Sequence, residues 1–245
     1  MGGLLYKTEH QINEHISIRI PTIREIIADE DSYFNDVGLI VSTPYDMMVS
    51  LDDIHVDFTT IDDWELFCLL FDQLRQKDLS LIFSNINLST FEPAVNNKNG
   101  ELVFIDRKTR AVIDRGIHWQ ICAFIRKILC ISRTSKQPAN EEARVYMIER
   151  ARTKMRRHKN DKPESQLEEY IVALVNASEF PYNYESVQDL TIYQFNSSLH
   201  QVINRVNYDK MMIGCYAGTV AMKEIDPDDL CWLTPKKTKR ITQEE

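Results

Sequence analysis

The chain has 245 residues, 43% hydrophobic and 27% charged, which is the balance of an ordinary globular protein and is enough to bury a sizeable core. Seven glycines and eight prolines are too few for a turn-dense β-sandwich and favour helices with few breaks. The net charge of -8 is not that of a dedicated nucleic-acid domain, and no run approaches the roughly 20 apolar residues needed to span a bilayer, nor does the N-terminus read as a secretory signal.

In chain order, His15 to Ile20 alternates apolar and polar residues and predicts a short half-buried strand, after which Pro21 opens a helix with Ile23, Ile26 and Ile27 on one face. Thr43-Pro44-Tyr45-Asp46 is a second helix start, with Thr43 as cap and Met47, Met48 and Leu51 inward. A third, Thr60-Ile61-Asp62-Asp63, precedes Trp64, Phe67, Cys68, Phe71 and Leu74, whose spacing makes one wide apolar face. Leu79 to Phe83 reads as a strand. Asn96 to Gly100 is a turn cluster leading into a strand at Leu102–Ile105, and Arg107 to Arg110 turns a hairpin back into Ala111, Val112 and Ile113.

From Asp114 the period becomes helical, with Ile117, Ile121, Phe124, Ile125 and Ile128 on one side, until Ser132 to Pro138 breaks it. Asn140 then caps a helix that begins with Glu141 and Glu142 and ends in Arg152, Lys154, Arg156, Arg157 and Lys159, as the helix dipole prefers. His158 to Pro163 is a linker candidate. Ser165 to Glu168 is a capping box for a helix carrying Leu167, Ile171, Leu174 and Val175. A long helix is expected from about Ser186 to Asn207, with Leu199, Val202, Ile203 and Val206 inward, and a further one through Met211, Met212 and Cys215 to Gly218.

The expected fold is therefore α+β and mainly α-helical. Residues 1–135 form a mixed acidic part with short strands and a β-hairpin, residues 136–235 a helical bundle, and residues 236–245 a disordered basic tail. Charge is segregated along the chain: residues 1–100 carry 6 Lys and Arg against 17 Asp and Glu, residues 101–162 carry 16 against 7, and the remainder 7 against 13. Such acidic and basic segments neutralise one another within a compact fold or between copies of the chain. The five cysteines, Cys68, Cys122, Cys130, Cys215 and Cys231, are odd in number and set among apolar residues, so they are expected to be reduced.

Candidate chemistry is sparse. The acidic run Asp52, Asp53, Asp57, Asp62 and Asp63 lacks calcium-loop spacing and is read as a solvated surface that also caps helices. Asp106-Arg107-Lys108 resembles the acid-x-lysine element of restriction-type nucleases, with Glu92 or another carboxylate as the companion acid, but reads far more readily as a polar hairpin turn. No nucleophile with its base, phosphate loop or paired metal ligands stand out, so a binding role without cofactor or metal is expected. Met47, Met48, Met211 and Met212 suit either core filling or an adaptable groove, and Trp64, Trp119 and Trp232 are read as packing anchors. The clearest binding candidate is the basic helix at 144–159. Its Arg150, Arg152, Lys154, Arg156 and Arg157 suit a solvated face, an acidic protein surface or nucleic-acid phosphates.

Several segments carry a family likeness. Ile18 to Ile26, Thr43 to Met48, Asp62 to Phe67, Tyr146 to Arg152 and Asp189 to Asn196 together resemble proteins of the tail-morphogenesis modules of tailed phages and prophages of Gram-positive bacteria, the tail assembly chaperones being the nearest group. The resemblance implies a mainly helical, oligomer-prone, non-enzymatic binder. It would be made in the host cytoplasm, where it coats the apolar helices of the tape measure protein until tail-tube subunits polymerise, and retention in the virion stays open.

Overall fold

A computed structural model describes residues 3–97, 99–158, 165–221, 223, 225, 232 and 233. Among these the fold is α+β and mainly helical, with eight α-helices and two small antiparallel sheets in the N-terminal half. The expected linker falls partly in the last turn of a helix ending at His158, and residues 159–164 lie outside the described residues, as do the basic tail and Cys231.

The first sheet pairs β1 (Glu9–Gln11) with β2 (Ser17–Arg19), and His10 lies opposite Ile18. Helix α1 (Ile23–Ile27) begins two residues later than Pro21 suggests, because Thr22 is the cap: its hydroxyl accepts from the Glu25 amide while Glu25 closes the box. A matching box, Thr191 with Gln194, opens α8 (Ile192–Tyr216). The two caps lie back to back, since the Ile23 amide donates to Leu190 O and the Ile192 amide donates to Pro21 O, each at 2.8 Å. Chain segments 170 residues apart are thereby fastened at the points where their helices begin.

Helix α2 (Glu30–Val41) has no counterpart in the sequence expectations. Asp29 caps it, and it buries Tyr33, Val37, Ile40 and Val41 despite an interior Gly38. The Thr43 start makes its capping bonds, with Asp46 accepting from the Thr43 amide at 2.9 Å, yet the chain turns there and α3 (Met48–Asp53) begins five residues on. Asp62 caps α4 (Asp63–Leu74) through a full box, and Trp64, Phe67, Phe71 and Leu74 are buried as expected. The expected strand at Leu79–Phe83 is instead a turn, because the Ile82 and Phe83 amides both donate to Leu79 O; only Phe83 bridges β2 at Ile18.

The second sheet runs β3-β4-β5, with β3 (Glu92–Val95), β4 (Leu102–Ile105) and β5 (Val112–Ile113). Pro93 sits on β3, an edge strand, where a missing amide is tolerated. Gly100 (φ 72°) and Arg110 (φ 59°) form the two reversals. The sheet contributes Phe104, which stacks on Phe71 with ring centroids 3.5 Å apart.

Asp114 caps α5 (Arg115–Ile128), whose apolar face is buried as expected, whereas Trp119 is 68% exposed rather than a packing anchor because it stands on the far side from Ile121 and Ile125. Helix α6 (Glu141–His158) starts at Asn140, which accepts from the Ala143 amide. Ser165 caps α7 (Gln166–Val175) by accepting from Glu168, but its own hydroxyl is given to Glu30 at the start of α2. Ser186–Asp189 is a separate 3-10 turn, and α8 then runs unbroken through Asn207, where two helices were expected, with Arg205 and Asp209 paired at 3.0 Å across that polar stretch. The main hydrophobic cluster draws side chains from Ile16 to Phe195, so both sides of residue 135 share it.

One stripe of α5 organises the centre. The last carbonyls of a helix lack partners within it, and α5 supplies them for α2 from His118, Cys122 and Arg126, spaced four apart. His118 Nε2 and Cys122 Sγ each lie 3.3 Å from Ile40 O, and Arg126 donates to Val41 O. Arg126 also approaches Asp63 at 3.8 Å, joining the C-terminal end of α2 to the N-terminal end of α4. His118 is enclosed by Trp64 and Phe67. Burial pulls its pKa down to about 4 against the Ile40 carbonyl and Asp63, which favour its charged form. Burial likewise pushes the Cys122 thiol up to about 12, so both groups are neutral in the fold.

A histidine whose folded pKa is depressed contributes stability above its unfolded pKa of about 6.5 and loses it as pH falls towards the folded value. Urea unfolding should therefore show a loss of about 3 kcal/mol between pH 6.5 and 4, about 2 kcal/mol of it already by pH 5 where most carboxylates are still ionised. The variant His118→Gln should flatten most of that slope; an unchanged slope would show that another group carries it.

Candidate functional site

Helix α6 is fastened by two devices. Beneath it lies a second hydrophobic cluster in which Ile148 packs with Met48, Val49, Leu51, Phe58 and Leu66. Around it the acidic run is neutralised by arginines. Arg152 donates at 2.7 Å to both Asp52 and Asp53, and Arg144 reaches Asp57 at 3.7 Å and Glu141 at 2.5 Å. Neighbouring segments repeat the pattern: Arg115 pairs with Asp62, and Arg133 grips Asp63 in a bidentate pair at 2.8 Å. Among the described residues, six arginines of the basic middle thus meet carboxylates of the acidic N-terminal part within one molecule. The Thr59 amide, with the Thr59 hydroxyl and Arg144, holds the Asp57 carboxyl below its usual range, and hydrogen bonding to Glu141 raises Arg144.

The five basic candidates separate accordingly. Arg152 is half-buried and engaged with Asp52 and Asp53. Arg156 stands on the same flank, beside a hollow of about 390 Å³ that also takes in Arg144 and Asp52. Arg150, Lys154 and Arg157 turn to the other flank, where they line a larger groove of about 810 Å³ between α6 and the 43–48 turn. Among the described residues none of Arg150, Lys154, Arg156 and Arg157 forms an ion pair, and all four are exposed.

Three further side chains complete the groove. Lys136, from the coil before α6, adds a fourth cation, while Tyr45 and Tyr146 bring aromatic rings, that of Tyr146 being 63% exposed. Met48 and Met147 form an apolar floor, and Glu149 is the one acidic side chain on the wall among the described residues. Tyr45 and Lys136 were not singled out from sequence as site residues. Nothing local marks them, since Tyr45 reads as part of a helix start and Lys136 as part of a break. Met211 and Met212 are half-buried on α8 and belong to no groove with Met47 and Met48 among the described pockets.

The Asp106 motif forms the β4–β5 turn. Asp106 is buried and accepts from the Lys108 amide at 2.9 Å and from the Thr109 and Thr90 hydroxyls at 2.8 and 3.1 Å. The Lys108 amide, with those hydroxyls, holds its carboxyl below the usual range. Glu92 faces Arg107 at 3.2 Å. Both acids thus hold neighbouring side chains in place, which accounts for the hairpin without further chemistry. Cys68, Cys122, Cys130 and Cys215 are free thiols, and no cluster of His, Cys, Asp or Glu suited to a metal ion occurs among the described residues.

Ile148, 5% exposed, is the side chain by which α6 enters its cluster. Ile148→Ala should lower the local opening energy of α6 by about 2 kcal/mol, because the cavity it leaves is lined by side chains anchored elsewhere. In hydrogen exchange the amides of residues 144–157 should speed up while those of α5 stay as they are; equal acceleration in both would show that α6 does not open separately.

Residues 158–235, 78 of the chain's 245, match the family model of the YomV second domain. The matched stretch takes in α7 and α8 and starts at the last residue of α6, so the groove precedes it. No curated protein and no solved structure matches the chain.

Proposed function

We propose that this chain is a non-enzymatic phage or prophage protein that binds a structural protein, such as the tape measure or a tail-tube subunit, during tail assembly. The phage setting is supported by the YomV match, a family of Bacillus phage and prophage type. The observation that carries the binding reading is the cationic stripe of Arg150, Lys154 and Arg157, left without carboxylate partners among the described residues while the neighbouring Arg144 and Arg152 on the same helix are paired. Four cations beside a partly apolar groove form a surface that steers and orients an acidic partner. No helix among the described residues is long and apolar enough to cross a membrane, and the proposed setting is the host cytoplasm, with self-association or virion retention as further parts of the same reading.

A second reading, a nucleic-acid-binding regulator, is favoured by Tyr45 and Tyr146 beside the same cations, because aromatic rings flanked by positive charge suit unstacked bases. It differs in salt response, since each phosphate contact releases a counterion and affinity then falls steeply with salt.

The test is co-expression with the tape measure and tail-tube proteins of a phage encoding this chain, followed by co-purification. The triple variant Arg150→Glu, Lys154→Glu, Arg157→Glu spares Arg152 and its structural pairs. It should lose the complex while keeping the melting temperature of the parent. Undiminished co-purification with the variant would overturn the reading.

A further inference from the structure

The groove between α6 and the 43–48 turn says more about its occupant than that it is acidic. Arg150, Lys154 and Arg157 stand at i, i+4 and i+7 on one helix, so their intervals along the axis are about 6 and 4.5 Å. A second helix lying alongside repeats the same intervals in its own carboxylates, whereas an extended chain turns every other side chain away. The cations occupy the rim, and the floor between them is apolar: Met48 and Met147, with Ala151 and the ring of Tyr45, belong to or pack against the cluster beneath α6. Thioethers adapt to apolar side chains of varied shape and offer nothing to a phosphate. Glu149 interrupts the positive wall. A polyphosphate backbone would carry evenly spaced anions past that carboxylate, while a helix acidic along one flank can present an uncharged side to it.

We infer that this groove takes an amphipathic helix of another protein, bearing acidic residues at i, i+4 and i+7 along one flank and apolar side chains beside them. The inference rests on the binding reading above and gives its partner a chemistry. The acidic flank lies along Arg150, Lys154 and Arg157 with Lys136 at the margin, and one or two apolar anchors descend between Tyr45 and Tyr146 onto Met147.

The experiment uses the purified full chain and a fluorescein-labelled, helix-forming peptide with glutamates at that spacing and leucines on the adjoining positions, read by fluorescence anisotropy. The parent chain should bind it. Replacing the peptide's glutamates by glutamine, or its leucines by serine, should each weaken binding about tenfold, in keeping with several rim ion pairs or one buried anchor. The triple variant R150E, K154E, R157E should lose the acidic peptide to a similar degree and gain a version with lysines in place of the glutamates. A thermal unfolding transition at the parent's temperature shows that the variant is folded. Absence of binding by the acidic peptide, indifference to the charge reversal, or an oligothymidine bound as tightly as the peptide at the same salt would each overturn the inference, the last in favour of a polyanion site. Failure of the tail-assembly reading is separable: if the peptide binds as described while no tail protein co-purifies, the partner lies outside the tail and the ligand class stands.

Discussion

The arrangement depends on how the C-terminal end of α2 is satisfied. A helix that ends inside a protein leaves carbonyls that must find donors, and here they are supplied by successive turns of α5 through His118, Cys122 and Arg126. Two neutral donors sit in the dry interior, and the one charged donor sits where Asp63 can answer it. Because Asp63 is also held by Arg133, the same knot fixes the start of α4 and the coil after α5. With α2, α4 and α5 set in this way, Trp64, Phe67, Phe71 and Phe104 have a defined space to fill, and the three-stranded sheet has a face to pack on.

A second principle governs the surface. The acidic N-terminal part and the basic middle meet as a series of arginine–carboxylate pairs: Arg115 with Asp62, Arg133 with Asp63, Arg144 with Asp57, and Arg152 with Asp52 and Asp53. Exposed pairs of this kind each add little to stability, so their value lies in placing α6 at one rotation about its axis. That rotation decides which cations remain outward. Arg152 faces in and Arg150, Lys154 and Arg157 face out because Ile148 and Arg152 are both committed on the inner side.

Much of this was legible in the sequence wherever a cap and a periodic apolar face coincide. Asp62 with Trp64 to Leu74, Asp114 with Ile121 to Ile128, and Asn140 with Glu141 announce α4, α5 and α6. Where one signal is missing the reading fails. Helix α2 mixes its apolar positions with acids and Gly38, and Leu79–Phe83 is apolar yet turns on the Leu79 carbonyl. The polar stretch at Asn207–Lys210 looks like a break in α8, but the Arg205–Asp209 pair carries the helix through. At the candidate site the helix and its cations were legible and the groove was not. Lys136 and Tyr45 come from segments read as break and cap, and only tertiary packing sets them opposite α6. The division of five basic residues between two flanks was equally hidden, because it depends on Asp52 and Asp53, about 100 positions earlier in the chain.

The two hydrophobic clusters also bear on which substitutions the molecule can absorb. The cluster beneath α6 is separate from the main one, and α4 divides its side chains between them, Leu66 going to the first and Phe67 and Phe71 to the second. Mutations on the outer face of α6 therefore touch neither the capped end of α2 nor the aromatic centre. Substitutions along this single helix can reset the charge and shape of the groove while the packing of the main cluster stays as it is.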